Sequence, residues 1–213
     1  QVAGHFCSSR AQWESIRQDK AAPLLNRATQ GLYPPGSTLK VVTLAAALSQ
    51  RPDLAAKNYN CTGQLTLPGY TINCPRPHGE IDLASALAVS CNVTFAELGL
   101  QLGNNAQAKQ AGQVLFNSNI PFVLPIEPSS FPEGRTGDGE IARRAIGQGQ
   151  VLATPIQMAL VAAGIANGGV VYKPYLVQER RLGGRISART RPEKMSEFVS
   201  PEVAAAITDM MIE

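Results

Sequence analysis

Between Pro35 and Arg51 the chain reads "GSTLKVVTLAAALSQ", and this run constrains the fold more than any other stretch. Pro34, Pro35 and Gly36 stop whatever precedes them, and Ser37 is a good residue with which to begin a helix. From Leu39 to Leu48 nearly every position is apolar on every face, the pattern of a helix surrounded by protein rather than one lying on a surface. A single charge, Lys40, falls inside it. A charge in such a place is expensive, so either something compensates Lys40 or the amine is neutral.

The surroundings can supply such a helix with a core. A chain of 213 residues with 44% hydrophobic content is long enough to bury one, and reads as one domain or most of one. The formal charge of +3 is modest. The densest basic stretch, "ERRLGGRISARTRPEK", carries no interleaved aromatic residues, so it reads as a solvated loop or hairpin and argues against nucleic acid as a partner. No apolar run is long enough to span a bilayer and no signal peptide is evident. The four cysteines form no C-x-x-C pair, which leaves them outside the patterns of a zinc site or a disulfide scaffold.

Helical patterns dominate the rest. "SRAQWESIRQDK" has helical spacing of Trp13 and Ile16. "EIDLASALAVSCNVTFAELGLQLG" reads as two helices meeting near Ser90 to Asn92, the second ending at Gly103, with a further helix in "NAQAKQAGQVLFNS". Residues 119–140 form a Pro/Gly-rich loop. "ATPIQMALVAAGIANGG" is a helix with Pro155 in its first turn, and "SPEVAAAITDMMIE" one capped by Ser200. Strands are expected only as peripheral hairpins near residues 62–74 and 170–182.

Ser37 and Lys40 stand three apart, so on a helix their side chains are neighbours, about 5–6 Å between Cβ atoms. That suits a nucleophile and its base: burial lowers the lysine pKa, and the neutral amine can take a hydroxyl proton. A chain of this length also holds about one Ser-x-x-Lys by chance, with the serine a cap and the lysine snorkelling outward. The histidines, His5 and His78, belong to no recognised catalytic pattern, and His78 in "CPRPHGE" reads as a turn residue. Ser90 and Asn92, in "AVSCNVTFAELG", form a polar Ser-x-Asn between two apolar helical runs; it can project two side chains into a cleft or simply cap a helix.

Taken together, "NRATQGLYPPGSTLKVVTLAAAL", "ALAVSCNVTFAELGLQLG" and "IGQGQVLATPIQMALVAAGIANGGVVYKPYLV" resemble, in order and spacing, three landmarks of the penicillin-binding protein transpeptidase domain of the class B, monofunctional type. The resemblance covers most of the chain. It implies a peptidoglycan D,D-transpeptidase that works through an acyl-serine intermediate. Ser37 is then the nucleophile that attacks a D-Ala-D-Ala stem peptide and Lys40 the acceptor of its proton. Ser90 relays a proton to the departing D-alanine, and Asn92 holds the substrate amide and the lysine. It also implies acylation of Ser37 by β-lactams, peptidoglycan stem peptides and other cell-wall synthesis proteins as partners, and a role in cell shape or division. Neither cofactor nor metal is implied. The expected location is the extracytoplasmic face of the bacterial membrane, with anchorage by an N-terminal segment outside this chain.

The family's third motif, Lys-Thr/Ser-Gly, does not occur; Arg135-Thr136-Gly137 is the closest match and lies in loop-like sequence. The expected fold is therefore mainly α. It is the helical portion of a penicillin-binding protein/serine β-lactamase-like α/β transpeptidase domain, with most of the central sheet missing, and residues 1–213 are part of a single such domain. A serine β-lactamase or β-lactam sensor and a non-catalytic scaffold of the same fold are the alternatives. No Glu-x-x-Leu-Asn stretch of the hydrolytic kind is present, and nitrocefin turnover separates steady hydrolysis from a stoichiometric burst. An extracytoplasmic setting also permits a disulfide. Cys61 and Cys74 bracket a hairpin-like excursion whose closure would contribute about 3 kcal/mol, so this pair is expected to be bonded, and Cys91 to be a free thiol facing the core.

Overall fold

The computed structural model describes residues 9–212. His5 of the sequence reading lies outside them. The buried apolar helix is α3, Lys40–Gln50, continued N-terminally by a single tighter turn over Gly36–Leu39. Leu44, Ala45, Ala46 and Ala47 are wholly inaccessible. Alanine on several faces lets neighbouring helices approach closely, and three do so.

The elements before α3 are α1, Arg10–Gln18, with Trp13 exposed, and α2, Arg27–Gln30. After α3 comes the short α4, Pro52–Ala55. Four short strands follow: β1 Tyr59–Cys61, β2 Gln64–Leu67, β3 Tyr70–Asn73 and β4 Gly79–Ile81. β2 and β3 form the hairpin expected near 62–74, and β1 and β4 pair around it, antiparallel, with Cys61 opposite Gly79. α5, Leu83–Ala88, is capped by Asp82, whose carboxylate accepts from Ser85 N at 2.9 Å.

The long α6, Asn92–Gln113, packs on both α3 and α7, Asp138–Ala145. It is two helical runs joined at Gly103, whose φ of 73° and ψ of 168° interrupt the helix where the sequence reading ends one helix and begins another. The loop expected over 119–140 closes slightly earlier, because Asp138 and Glu140 favour the positive end of α7. α8, Pro155–Ala166, is capped by Thr154 and begins with Pro155, and α9, Pro201–Ile212, is capped by Ser200. Both α3 and α8 pack against α9.

The remaining strands are β5 Val170–Tyr172, β6 Glu179–Leu182, β7 Arg185–Arg189 and β8 Lys194–Glu197. β5 pairs with β8, and β6–β7 make an exposed hairpin turning at Gly183 and Gly184, both with positive φ. Among the described residues every sheet has two strands and helix predominates, as the sequence leads one to expect of a partial α/β fold.

Candidate active site

Ser37 lies in the tight turn ahead of α3, exposed at the surface, rather than acting as a side-chain cap. Directly inside it, Lys40 is fully buried. Two backbone strands of contact hold this turn. Gly36 N donates to Gly147 O at 2.8 Å, and Tyr33 and Ala153 exchange both of their backbone hydrogen bonds, at 3.0 and 2.8 Å. The "IGQGQVLAT" segment is thereby a brace for the turn that carries Ser37.

The Ser-x-Asn junction is built from two helix ends. α5 closes with Ser90 N donating to Leu87 O at 3.0 Å and Cys91 N to Ala86 O at 2.8 Å, the double bond pattern of a Schellman motif. The position this motif usually gives to glycine holds Ser90, at φ 53°. A left-handed conformation is uncommon for a residue with a Cβ, and here it aims a hydroxyl at the α3 turn. Cys91 then caps α6, its sulfur accepting from Thr94 N at 3.4 Å, and Asn92 is the first residue of that helix.

These pieces meet in one hydrogen-bonded chain. Lys40 Nζ donates to Ser90 O at 2.7 Å, to Ser90 Oγ at 2.9 Å and to Asn92 Oδ1 at 2.8 Å. Ser90 Oγ donates to Ser37 Oγ at 2.9 Å. Three acceptors match the three donors of an ammonium, and the Phe95 ring, 5.6 Å from Nζ, adds a favourable face. Asn92 Nδ2 donates in turn to Asn73 O at 3.0 Å, tying the junction to the end of β3.

Burial nevertheless lowers the Lys40 pKa to about 8, against weaker opposing contributions from Cys91 and Cys74. All four residues singled out in the sequence, Ser37, Lys40, Ser90 and Asn92, are thus brought together. One detail differs from the simplest expectation. Among the described residues Lys40 makes no direct hydrogen bond to Ser37; Ser90 stands between them. The sequence reading missed Phe95, the Asn73 carbonyl and the Gly36–Gly147 contact, since none of them belongs to a local pattern.

The cysteines also depart from expectation. The excursion does return on itself, with Cys74 N donating to Gly63 O at 2.9 Å, but Cys61 and Cys74 are free thiols, as is Cys91. The three sulfurs gather with His78 so that the four potential ligand atoms lie within 4.8 Å of one another. Cys91 faces the core as anticipated and its pKa is pushed up to about 11 by burial. Burial opposes ionisation of Cys61 too, but the backbone N–H groups of Gly63 and His78 outweigh it, with help from the neighbouring thiols, and hold that thiol below its ordinary value. The lack of a C-x-x-C therefore did not exclude a cluster of metal-ligand types, because its members come from separate segments.

Residues 8–213 match the model of the penicillin binding protein transpeptidase domain, and the chain belongs to that family. It is 36% identical over 229 aligned residues to the peptidoglycan D,D-transpeptidase PbpA of Mycolicibacterium smegmatis, covering 99% of this chain and 45% of that protein. Its fold is similar to that of penicillin-binding protein A from Mycobacterium tuberculosis in a penicillin G acyl-enzyme complex. The TM-score is 0.85 and the identity 32%, over 95% of this chain and 48% of that one. A D,D-transpeptidase domain from Eggerthella lenta matches with a TM-score of 0.85 at 29% identity, over 95% of this chain and 52% of that chain. The chain spans about half the length of the curated relatives it matches. No described helix is long and apolar enough to cross a membrane.

Proposed function

We propose that this chain carries the nucleophile and proton-transfer groups of a peptidoglycan D,D-transpeptidase, with Ser37 as the residue that becomes acylated. The observation that carries the reading is the chain Ser37–Ser90–Lys40–Asn92, an exposed hydroxyl backed by a buried amine whose pKa is about 8.

With Lys40 neutral, Ser37 Oγ attacks the carbonyl of the penultimate D-alanine. Its proton passes to Ser90 Oγ as the Ser90 proton passes to Lys40 Nζ. Collapse of the tetrahedral adduct returns a proton by the same route to the departing D-alanine nitrogen, leaving Ser37 as an ester. The amine of a second stem peptide then attacks the ester, restoring the serine and forming a cross-link. The Lys40–Asn92 contact orients the amine, and Asn92 takes the substrate amide with the Nδ2 hydrogen that its bond to Asn73 O leaves over. A β-lactam carbonyl reacts at the same hydroxyl. Residues 1–213 are read as part of a single transpeptidase domain acting on the extracytoplasmic side, with other cell-wall synthesis proteins as partners.

Labelling of the natural full-length protein with a fluorescent penicillin tests this, together with release of D-alanine from a D-Ala-D-Ala peptide in the presence of an acceptor amine. Stoichiometric labelling at Ser37 with slow turnover is expected. Rapid steady hydrolysis of nitrocefin would instead make it a β-lactamase, and no label at Ser37 in a folded protein would leave it a scaffold.

A further inference from the structure

We propose that Cys61, Cys74, His78 and Cys91 form a structural zinc site that clamps the β-strand excursion to the Ser-x-Asn junction. The four come from different places: Cys61 from the end of β1, Cys74 from just after β3, His78 from the turn into β4, and Cys91 from the N-cap of α6. Cys61 and Cys91 are buried, and Cys74 and His78 are half-buried.

Their spacing is that of ligands rather than of a disulfide. Cys74 Sγ and Cys91 Sγ stand 3.7 Å apart, and Cys61 Sγ and His78 Nδ1 3.4 Å. A disulfide needs an S–S distance of about 2.05 Å. Around tetrahedral zinc, bonds of about 2.3 Å to sulfur and 2.0–2.1 Å to nitrogen place two sulfurs about 3.8 Å apart and a sulfur and a nitrogen about 3.5 Å apart. The observed separations sit close to both edges. Three sulfurs and one imidazole complete a tetrahedron, so the site is closed, as in structural rather than catalytic zinc centres. Soft thiolates with one imidazole favour zinc over the oxygen-seeking cations. Binding releases the thiol protons to solvent, and no electron changes hands.

β1 to β4 are three or four residues long and pair only two by two. Their support comes from docking on α6, with Tyr59, Cys61, Ile72 and Ile81 in the core, and a metal at that junction would fasten the excursion to α6 directly. Weak thiol hydrogen bonds hold the cluster otherwise. Cys91 lies between Ser90 and Asn92, so a metal bound there fixes the residue linking the two groups that hold Lys40. Metal also keeps three neighbouring thiols apart in a compartment where Cys74 and Cys91 would otherwise be oxidised to a disulfide.

The full-length protein, purified without chelator or added metal, should contain roughly one zinc per chain by elemental analysis. After stripping and reloading with cobalt(II) it should show the strong thiolate charge-transfer and ligand-field absorption of a tetrahedral site. His78→Ala and Cys74→Ser should lose the metal, and His78→Cys should retain it; circular dichroism checks the fold of each. Should His78→Ala fail to fold, the cobalt spectrum of the unaltered protein and of His78→Cys still decides. Protein that takes up neither metal, a Cys74–Cys91 disulfide in peptide maps of freshly isolated protein, or undiminished metal in folded Cys74→Ser would each overturn the site. A further expectation rests on the proposed function: stripping zinc slows acylation of Ser37. Metal content and cobalt absorption stand whether or not Ser37 is ever acylated.

Discussion

Gly36 and Gly147 are in backbone contact, and a side chain on Gly147 would collide with the turn that carries Ser37. Gly147 has φ 70°, and a Cβ built there would lie 2.0 Å from Gly36 O. Gly147→Ala is expected to cost about 1–3 kcal/mol from backbone strain alone, with the collision adding to it. Thermal denaturation reads the loss, and penicillin labelling should fall as Ser37 shifts. An unchanged melting temperature would show that the "GQG" segment is no brace.

Ser37→Ala should abolish covalent labelling by a β-lactam while leaving the melting temperature close to that of the parent, because Ser37 is exposed and Leu39 and Lys40 carry the packing. Intact mass spectrometry before and after penicillin treatment decides it. A retained adduct would place the acylated residue elsewhere.

The Lys40 pKa of about 8 gives the acylation rate a sign with respect to pH. Below that value the amine is an ammonium and cannot accept the serine proton. Roughly a tenth is neutral at pH 7, and the fraction grows as pH rises through 8. The second-order acylation rate should climb through that window and level off above it. A rate independent of pH between about 6 and 9 would remove Lys40 as the base. Lys40→Met, which keeps most of the volume, should lower the rate by about 10²–10⁴-fold without unfolding the chain.

Ser90 should show stability and function pulling in opposite directions. Ser90→Gly relaxes the left-handed backbone at φ 53° and should raise stability by up to about 1 kcal/mol. It also removes the hydroxyl between Lys40 and Ser37, so acylation should fall. Ser90→Ala keeps the strain and loses the hydroxyl, giving the slower rate with no stabilisation. A Ser90→Gly variant acylated at the parental rate would mean that the proton reaches Lys40 some other way.

Ser37 and Lys40 were legible in the sequence because one helix carries both, and the conflict between a charge and an apolar helix draws attention to the pair. Ser90 and Asn92 were legible only through the order of the landmarks. Taken alone, "SCN" is indistinguishable from a helix cap, and Cys91 does cap α6. The hydrogen-bonded order was not legible, because helical spacing brings positions 37 and 40 together but does not reveal that Ser90, from the α5–α6 junction, lies between them. The cysteine cluster escaped for a similar reason. Its four members are set by the pairing of β1 with β4 and by the docking of that excursion on α6, and no short spacing encodes those long-range contacts. The hairpin at Gly69 was legible, and the basic stretch around Gly183 and Gly184 read as a loop or hairpin. The hairpin expected near 170–182 does not form among the described residues, because β5 pairs with the distant β8, and β1 and β4 likewise pair across the intervening hairpin without a local signature.

Because α3 is enclosed on all sides, the amides of the turn after Lys40 become available to solvent only when the whole core opens. Local fluctuations release frayed ends and exposed hairpins such as β6–β7 at little cost, but a helix at the centre exchanges its protons with the free energy of global unfolding. Ser37 sits on the exposed turn that leads directly into this helix, so its hydroxyl is anchored at the edge of the most protected part of the core. Motion that admits a ligand to Ser37 is therefore expected in the exposed segments around it rather than in α3.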